Sequence, residues 1–157
     1  MCTVLDYCHG ILEHWISEHR DCVPPIVINI SDGESQDGDP IPAAERLKAL
    51  ATDNGNVLLL NCHLSMTAAD PVVFPSSDEI LPEELARVLF RMSSVLPEPM
   101  YQRAVQEGFP IQPKARGMVF NANMIHISPF ECCVGLFRGA ARVLTASAPL
   151  VLYGPFR

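Results

Sequence analysis

Basic residues are scarce in this chain: eleven Lys and Arg stand against eighteen Asp and Glu, a formal net charge of −7. The eleven cations are scattered, which excludes a nucleic-acid backbone or an anionic membrane surface as the main partner, since both are held by clustered positive charge. No apolar run reaches the roughly 18 to 20 residues of a membrane span, and the N-terminus lacks the basic-then-apolar order of a secretion signal. A cytoplasmic location is the expectation. The signatures G-x-G-x-x-G, G-x-x-x-x-G-K-[ST] and G-x-S-x-G are all missing, which removes the common nucleotide-binding and hydrolase readings. Cys-x-x-Cys is missing too. Most of the six cysteines sit in apolar patterns, where a reduced thiol acts as a small hydrophobe, and Cys132-Cys133 has no nearby His to complete a tetrahedral metal set.

What is present is apolar: 48% of the 157 residues are hydrophobic and only 18% are charged, enough to bury the core of one domain. Val4, Leu5, Cys8, Ile11, Leu12, Trp15 and Ile16 recur at three- and four-residue steps and predict a helix ending near Asp21. Pro24 and Pro25 break it and lead into a β-branched strand from Ile26 to Ile30. Pro42 opens a helix carrying Ala43, Leu47, Leu50 and Ala51, which stops by Asp53-Asn54-Gly55. Asn56 to Cys62 is a second buried strand, with His63 and Ser65 just past its end. A second stripe, Leu81 to Val95, is opened by Pro82 and has Glu83 and Glu84 in its first turn, where the helix dipole favours anions. A short helix follows from Met100 to Glu107, then a third strand from Met118 as far as Ile127. Pro129 opens a last helix with Phe130, Val134, Phe137, Ala141 and Leu144 on one side, and Ala148 to Tyr153 is a fourth strand. Helices and strands alternating in this way predict an α/β fold, a Rossmann-like sandwich with a mostly parallel central sheet flanked by helices.

Parallel sheets place ligands beyond the carboxyl ends of their strands. Ser31-Asp32-Gly33 lies at such a place, and Asp32, Glu34, Asp37 and Asp39 fall within eight residues. Hard cations such as Mg²⁺ take oxygen ligands of this kind, but the spacing is not that of an EF-hand, and Gly33 and Gly38 equally suit a solvated turn capping the next helix. His9, His14 and His19 recur every five residues and spread around their helix instead of aligning as ligands. His63 and His126 sit near strand ends with no nucleophile motif beside them. Support for an enzyme is therefore thin.

Several of these segments resemble the later part of a von Willebrand factor A domain of the bacterial intracellular type. They are Ile11-Leu12-Glu13-His14-Trp15-Ile16, Val27 to Ser35, Asp37-Gly38-Asp39-Pro40, Leu59 to Ser65, Phe90 to Pro97 and Gly117 to Ala122. The resemblance covers about residues 2–122 and implies a metal-ion-dependent adhesion site to which Asp32 contributes. The family's Asp-x-Ser-x-Ser strand and Thr loop have no match, so Mg²⁺ or Mn²⁺ is expected to bind only weakly. From about Asn123 onward, Asn123-Met124-Ile125-His126-Ile127-Ser128-Pro129-Phe130-Glu131, Gly135-Leu136-Phe137 and Tyr153-Gly154-Pro155-Phe156-Arg157 resemble a small methyltransferase-like family. In its relatives Asn123, Met124 and His126 would border a cofactor pocket. The loop that cradles S-adenosylmethionine has no counterpart, so that cofactor is not expected.

The chain thus reads as a partial von Willebrand factor A-like domain at 1–122 joined to a strand-helix-strand segment at 123–157 on the same sheet, as in a truncated domain or a fusion. The function implied is a non-enzymatic protein-interaction module with an incomplete adhesion site. Its partner-facing loops would hold Ser31, Asp32, Gly33, Glu34, Asp37, Asp39, His63 and Ser65. The alternatives are a methyltransferase-like protein, or an inactive fragment that self-associates through an unpaired sheet edge.

Overall fold

Helix α1 (Cys2–Glu18) buries Leu5, Cys8, Leu12 and Ile16, one stripe at helical spacing, and ends three residues before the predicted stop. Its first turn is tied down by the acidic loop, because the Asp37 carboxylate accepts the N–H groups of Cys2 at 2.9 Å and Thr3 at 2.8 Å. In the computed structural model, which describes residues 1–67 and 69–122, strand β1 (Ile26–Ser31) follows the proline break. Helix α2 (Ile41–Ala49) starts after Asp39, whose Oδ1 accepts the Ile41 N–H at 3.0 Å. It is shorter than its apolar pattern predicts: Leu50 is extended and Ala51 is exposed. The reason is a hairpin that the helical stripe conceals. Strands β2 (Ala51–Thr52) and β3 (Gly55–Asn56) pair antiparallel across Asp53-Asn54.

Strand β4 (Leu58–Ser65) is the longest and runs three residues beyond the predicted Cys62, so His63 and Ser65 are strand residues. Strand β5 (Val72–Val73), helix α3 (Glu84–Met92), helix α4 (Glu98–Gln106) and strand β6 (Met118–Ala122) complete the described elements. The stripe read through Leu81 to Val95 is corrected in detail. Leu85 and Val95 are exposed, whereas Leu81, Leu89 and Met92 of that stripe are buried, joined on α3 by Ala86 and Phe90. His126 and the last helix and strand of the sequence reading lie outside the described residues, as does the third strand beyond Ala122.

The sheet order is β1-β4-β6-β5, with β1, β4 and β6 parallel and β5 antiparallel to β6. This is the mostly parallel α/β sheet that the alternation of elements predicts. Both steps, β1 to β4 through α2 and β4 to β6 through α3, move in one direction across the sheet. Right-handed crossovers then place α2 and α3 on one face, and α1 packs beside α2 there.

On that face, Val27, Leu59, Met118 and Phe120 join the helix residues in the buried core. Toward the carboxyl end of β4 the same face turns polar: Leu59 is followed at every second position by Asn61, His63 and Ser65, all buried. Asn61 is satisfied by Asn29 (2.8 Å), Ser93 Oγ (2.8 Å) and the Leu89 carbonyl (3.3 Å), as a buried amide requires. The opposite face carries Ile26, Ile28 and Ile30 of β1 and Leu58, Leu60, Cys62 and Leu64 of β4. All of these are only partly buried, and none belongs to the core cluster.

Candidate functional site

Two of the polar side chains of the helix-covered face, His63 and Ser65, converge on Glu83. This residue precedes the first turn of α3 with extended backbone (φ −121°, ψ 144°), so its side chain reaches back over the end of β4. His63 Nε2 lies 2.7 Å from Glu83 Oε2, Ser65 Oγ donates to Oε1 at 2.5 Å, and Thr67 Oγ1 donates to the same oxygen. Ser65 Oγ in turn accepts the Thr67 N–H at 2.9 Å. One carboxylate thus ties the end of β4 and the loop beyond it to the start of α3.

Burial pushes the His63 pKa below its ordinary 6.5, while the negative charges of Glu83 and Asp32 pull weakly the other way. The ring is therefore neutral at pH 7, and a carboxylate partner places its proton on Nε2. Among the described residues Nδ1 then has no hydrogen-bond partner, and the ring, 1% exposed, lies 5.4 Å from that of Phe120. The hydrogen bonds from Ser65 and then Thr67 lower the Glu83 pKa.

Both shifts act in the same direction on stability. Unfolded His63 takes up its proton near 6.5 and folded His63 only at lower pH; between the two the unfolded chain binds more protons, so stability falls with falling pH. Glu83 adds a second loss below its ordinary 4.5, where the unfolded carboxyl protonates first. We expect the urea midpoint to drop as the pH falls below about 7, with His63→Gln removing the upper limb of that drop. An unchanged limb in His63→Gln would assign it to another group.

The arrangement differs from a catalytic triad in its order. A triad needs the imidazole between nucleophile and carboxylate; here Glu83 lies between Ser65 and His63.

The acidic loop is held by its own side chains. Asp32 Oδ1 accepts the Glu34 N–H at 3.0 Å and Ser31 Oγ accepts the Gly33 N–H at 3.2 Å. Asp37 takes the Met1 ammonium at 2.5 Å, and this contact, with the Thr3 and Cys2 N–H groups, holds its carboxyl well below the usual carboxylate range. Asp39 accepts the first N–H of α2. Among the described residues no group of three or more His, Cys, Asp or Glu side chains converges on one point. With Asp32 engaged in its own turn and both Glu83 oxygens occupied, this donor set does not fit a tightly held Mg²⁺ or Mn²⁺, which needs several preplaced oxygens.

Of the residues singled out from sequence, the structure gathers Ser31, Asp32, His63 and Ser65 at the carboxyl ends of adjacent strands. It sends Asp37 and Asp39 to helix starts, and it buries His63 and Ser65 within β4. Glu83 and Thr67 escaped the sequence reading. Glu83 looked like an ordinary first-turn acid, and the only local signal was the polar alternation His63, Ser65, Thr67 running out of an apolar strand.

Residues 92–157 match a protein family described as a protein of unknown function, DUF938. No solved structure matches the chain. The match overturns the family assignments made from sequence. It starts at the last residue of α3 and takes in α4 and β6, including Met92 to Pro97 and Gly117 to Ala122, which had been ascribed to a von Willebrand factor A domain. With that family go the adhesion-site keywords attached to Asp32. The motifs misled because an amphipathic helix and an apolar strand ending in Ser-Asp-Gly are parts that any parallel α/β sheet can contain. The residues ascribed to a methyltransferase-like family, 123–157, lie inside the same match, whose description assigns no activity. Over less than half its length, then, this α/β chain is similar to DUF938, a family whose description names no function.

Proposed function

We propose that the chain is a non-enzymatic protein-interaction module whose partner-facing surface is formed by the loops after β1 and β4. The observation that carries this reading is an exposed side chain on a braced base. Met66, 71% exposed, sits between Ser65 and Thr67, both bonded to Glu83, with the exposed acids Asp32 and Glu34 on the loop after neighbouring β1. A projecting thioether beside carboxylates suits a partner segment that combines apolar and basic side chains. Rigid strand ends lower the entropy cost of such docking. A cation at Asp32 would be held by one carboxylate and water, too weakly to organise the surface.

The test compares the full chain with a Glu34→Lys/Met66→Asp double variant in partner capture, beside titrations with S-adenosylmethionine and Mn²⁺. Proteins retained by the wild type and lost from a variant with unchanged circular dichroism are expected. Saturable S-adenosylmethionine binding, or identical capture by both chains, would sink the reading.

A further inference from the structure

We propose that the cleft between the C-terminal ends of α2 and α3 binds a small molecule that carries an oxyanion, a carboxylate or a phosphate, on an apolar body. The cleft has a volume of about 340 Å³ and lies where β4 begins, at the other end of that strand from the loops of the proposed interaction surface. Its size is that of a small-molecule site.

Val57, Leu58 and Val95 supply the apolar part of the wall, and Lys48, Ser94 and Arg116 supply the donors. Two helices end here, and their last carbonyls bear partial negative charge that would by itself repel an anion. The carbonyls on the wall are already engaged, however. Asn56 Nδ2 donates to the Lys48 carbonyl at 3.1 Å, and Arg116 Nη1 donates to the carbonyls of Ser93 at 2.6 Å and Arg91 at 3.3 Å. What remains unused is on the donor side.

Arg116 is fixed by those two bonds and by the Phe90 ring, whose centre lies 5.0 Å from its guanidinium carbon. Among the described residues its Nε and Nη2 meet no acceptor, so N–H groups of the planar fork that suits carboxylate and phosphate stay available. The Lys48 side chain is only 14% exposed, and among the described residues its ammonium meets one acceptor, the exposed Glu45 carboxylate at 2.8 Å. An exposed pair within one helical turn contributes little. An oxyanion held by Arg116 as well can therefore take the place of Glu45.

Ser94 completes the set. It is buried, and its Oγ accepts the Leu59 N–H at 2.9 Å, while its own hydroxyl proton has no acceptor among the described residues. A buried hydroxyl with an unused proton, in a cleft that also holds two cations, calls for an acceptor on the ligand and not a donor. The apolar wall of Val57, Leu58 and Val95 adds the requirement for an apolar body next to that acceptor.

The full chain, labelled with nitrogen-15, is titrated with phenyl phosphate and with benzoate at a constant ionic strength of about 0.15 M. Saturable shifts of the Val57, Leu58, Ser94 and Val95 amides and of the Arg116 Nε–H are expected with at least one of them, and the tighter of the two identifies the head group. Inorganic phosphate and acetate, the same head groups without the ring, should bind about fivefold or more weakly than their partners. Lys48→Gln should weaken binding by about tenfold, and Glu45→Gln should tighten it by about threefold, because the competing carboxylate is gone. Arg103→Gln removes the same charge from α4, outside the cleft, and should leave binding unchanged. Binding that does not saturate, shifts that avoid the cleft, or equal losses in Lys48→Gln and Arg103→Gln would overturn the proposal. So would head groups that bind as tightly without the ring as with it.

Discussion

Glu83→Ala should lower the stability of the chain by about 3 kcal/mol, a large share of the 5 to 15 kcal/mol typical of a domain. Its carboxylate accepts from His63 and Ser65, both buried, and from the exposed Thr67. Hydrogen bonds to a charged group contribute about 1.5 to 3 kcal/mol each, and removal of the acceptor leaves buried donors unsatisfied. Glu83 is itself a quarter exposed, so water partly replaces it and the loss falls below the sum of the three bonds. Thermal unfolding should move down by about 6 to 12 °C for a chain of this size. Glu83→Gln should lose less, because its amide keeps one acceptor oxygen. Equal unfolding temperatures for Glu83→Ala and the wild type would mean that the β4–α3 connection is not held through this carboxylate.

Gly33→Ala is expected to cost about as much, for two separable reasons. At φ +83° an L-residue is strained by about 1 to 2 kcal/mol. The new methyl would also stand 2.9 Å from Leu85 Cβ and 3.1 Å from the Leu85 carbonyl oxygen, atoms fixed by the first turn of α3, and such overpacking adds about 1 to 3 kcal/mol. Gly108 separates the two effects, with almost the same φ (+82°) and nothing within 4 Å of an added Cβ. Gly108→Ala should therefore cost only the backbone strain, about 1 kcal/mol, against about 3 kcal/mol for Gly33→Ala. Equal urea midpoints for the two variants would show that α3 yields to the methyl group.

Gly33 was legible in the sequence as a turn residue, though not as the point where the acidic loop touches α3. The loop itself was legible as a turn system: Asp32 and Ser31 bond their own backbone, and Asp39, one residue before the N-cap Pro40, accepts the first N–H of α2. Its role at α1 was not, because Asp37 and Cys2 are distant in sequence and no local pattern links them. The hairpin at Ala51 to Asn56 was hidden for a different reason. Leu50 and Ala51 continue a helical stripe, and only the antiparallel pairing of Thr52 with Gly55 shows that the helix has ended.

The sequence by itself determined the alternation of helices and strands, the buried stripe of α1, the apolar character of β1 and β4, and the shortage of positive charge. These are local properties: burial of one face imposes a period of 3.6 or 2 on the residues that form it, whatever they pack against. Only the tertiary structure decided which face of β4 meets the helices, and so buried Asn61, His63 and Ser65 while leaving Cys62 and Leu64 on the other side. A one-residue change of register would exchange the two faces without altering any local pattern. The meeting of Glu83 with His63 was decided at the same level, since it depends on the crossover that brings the start of α3 over the end of β4.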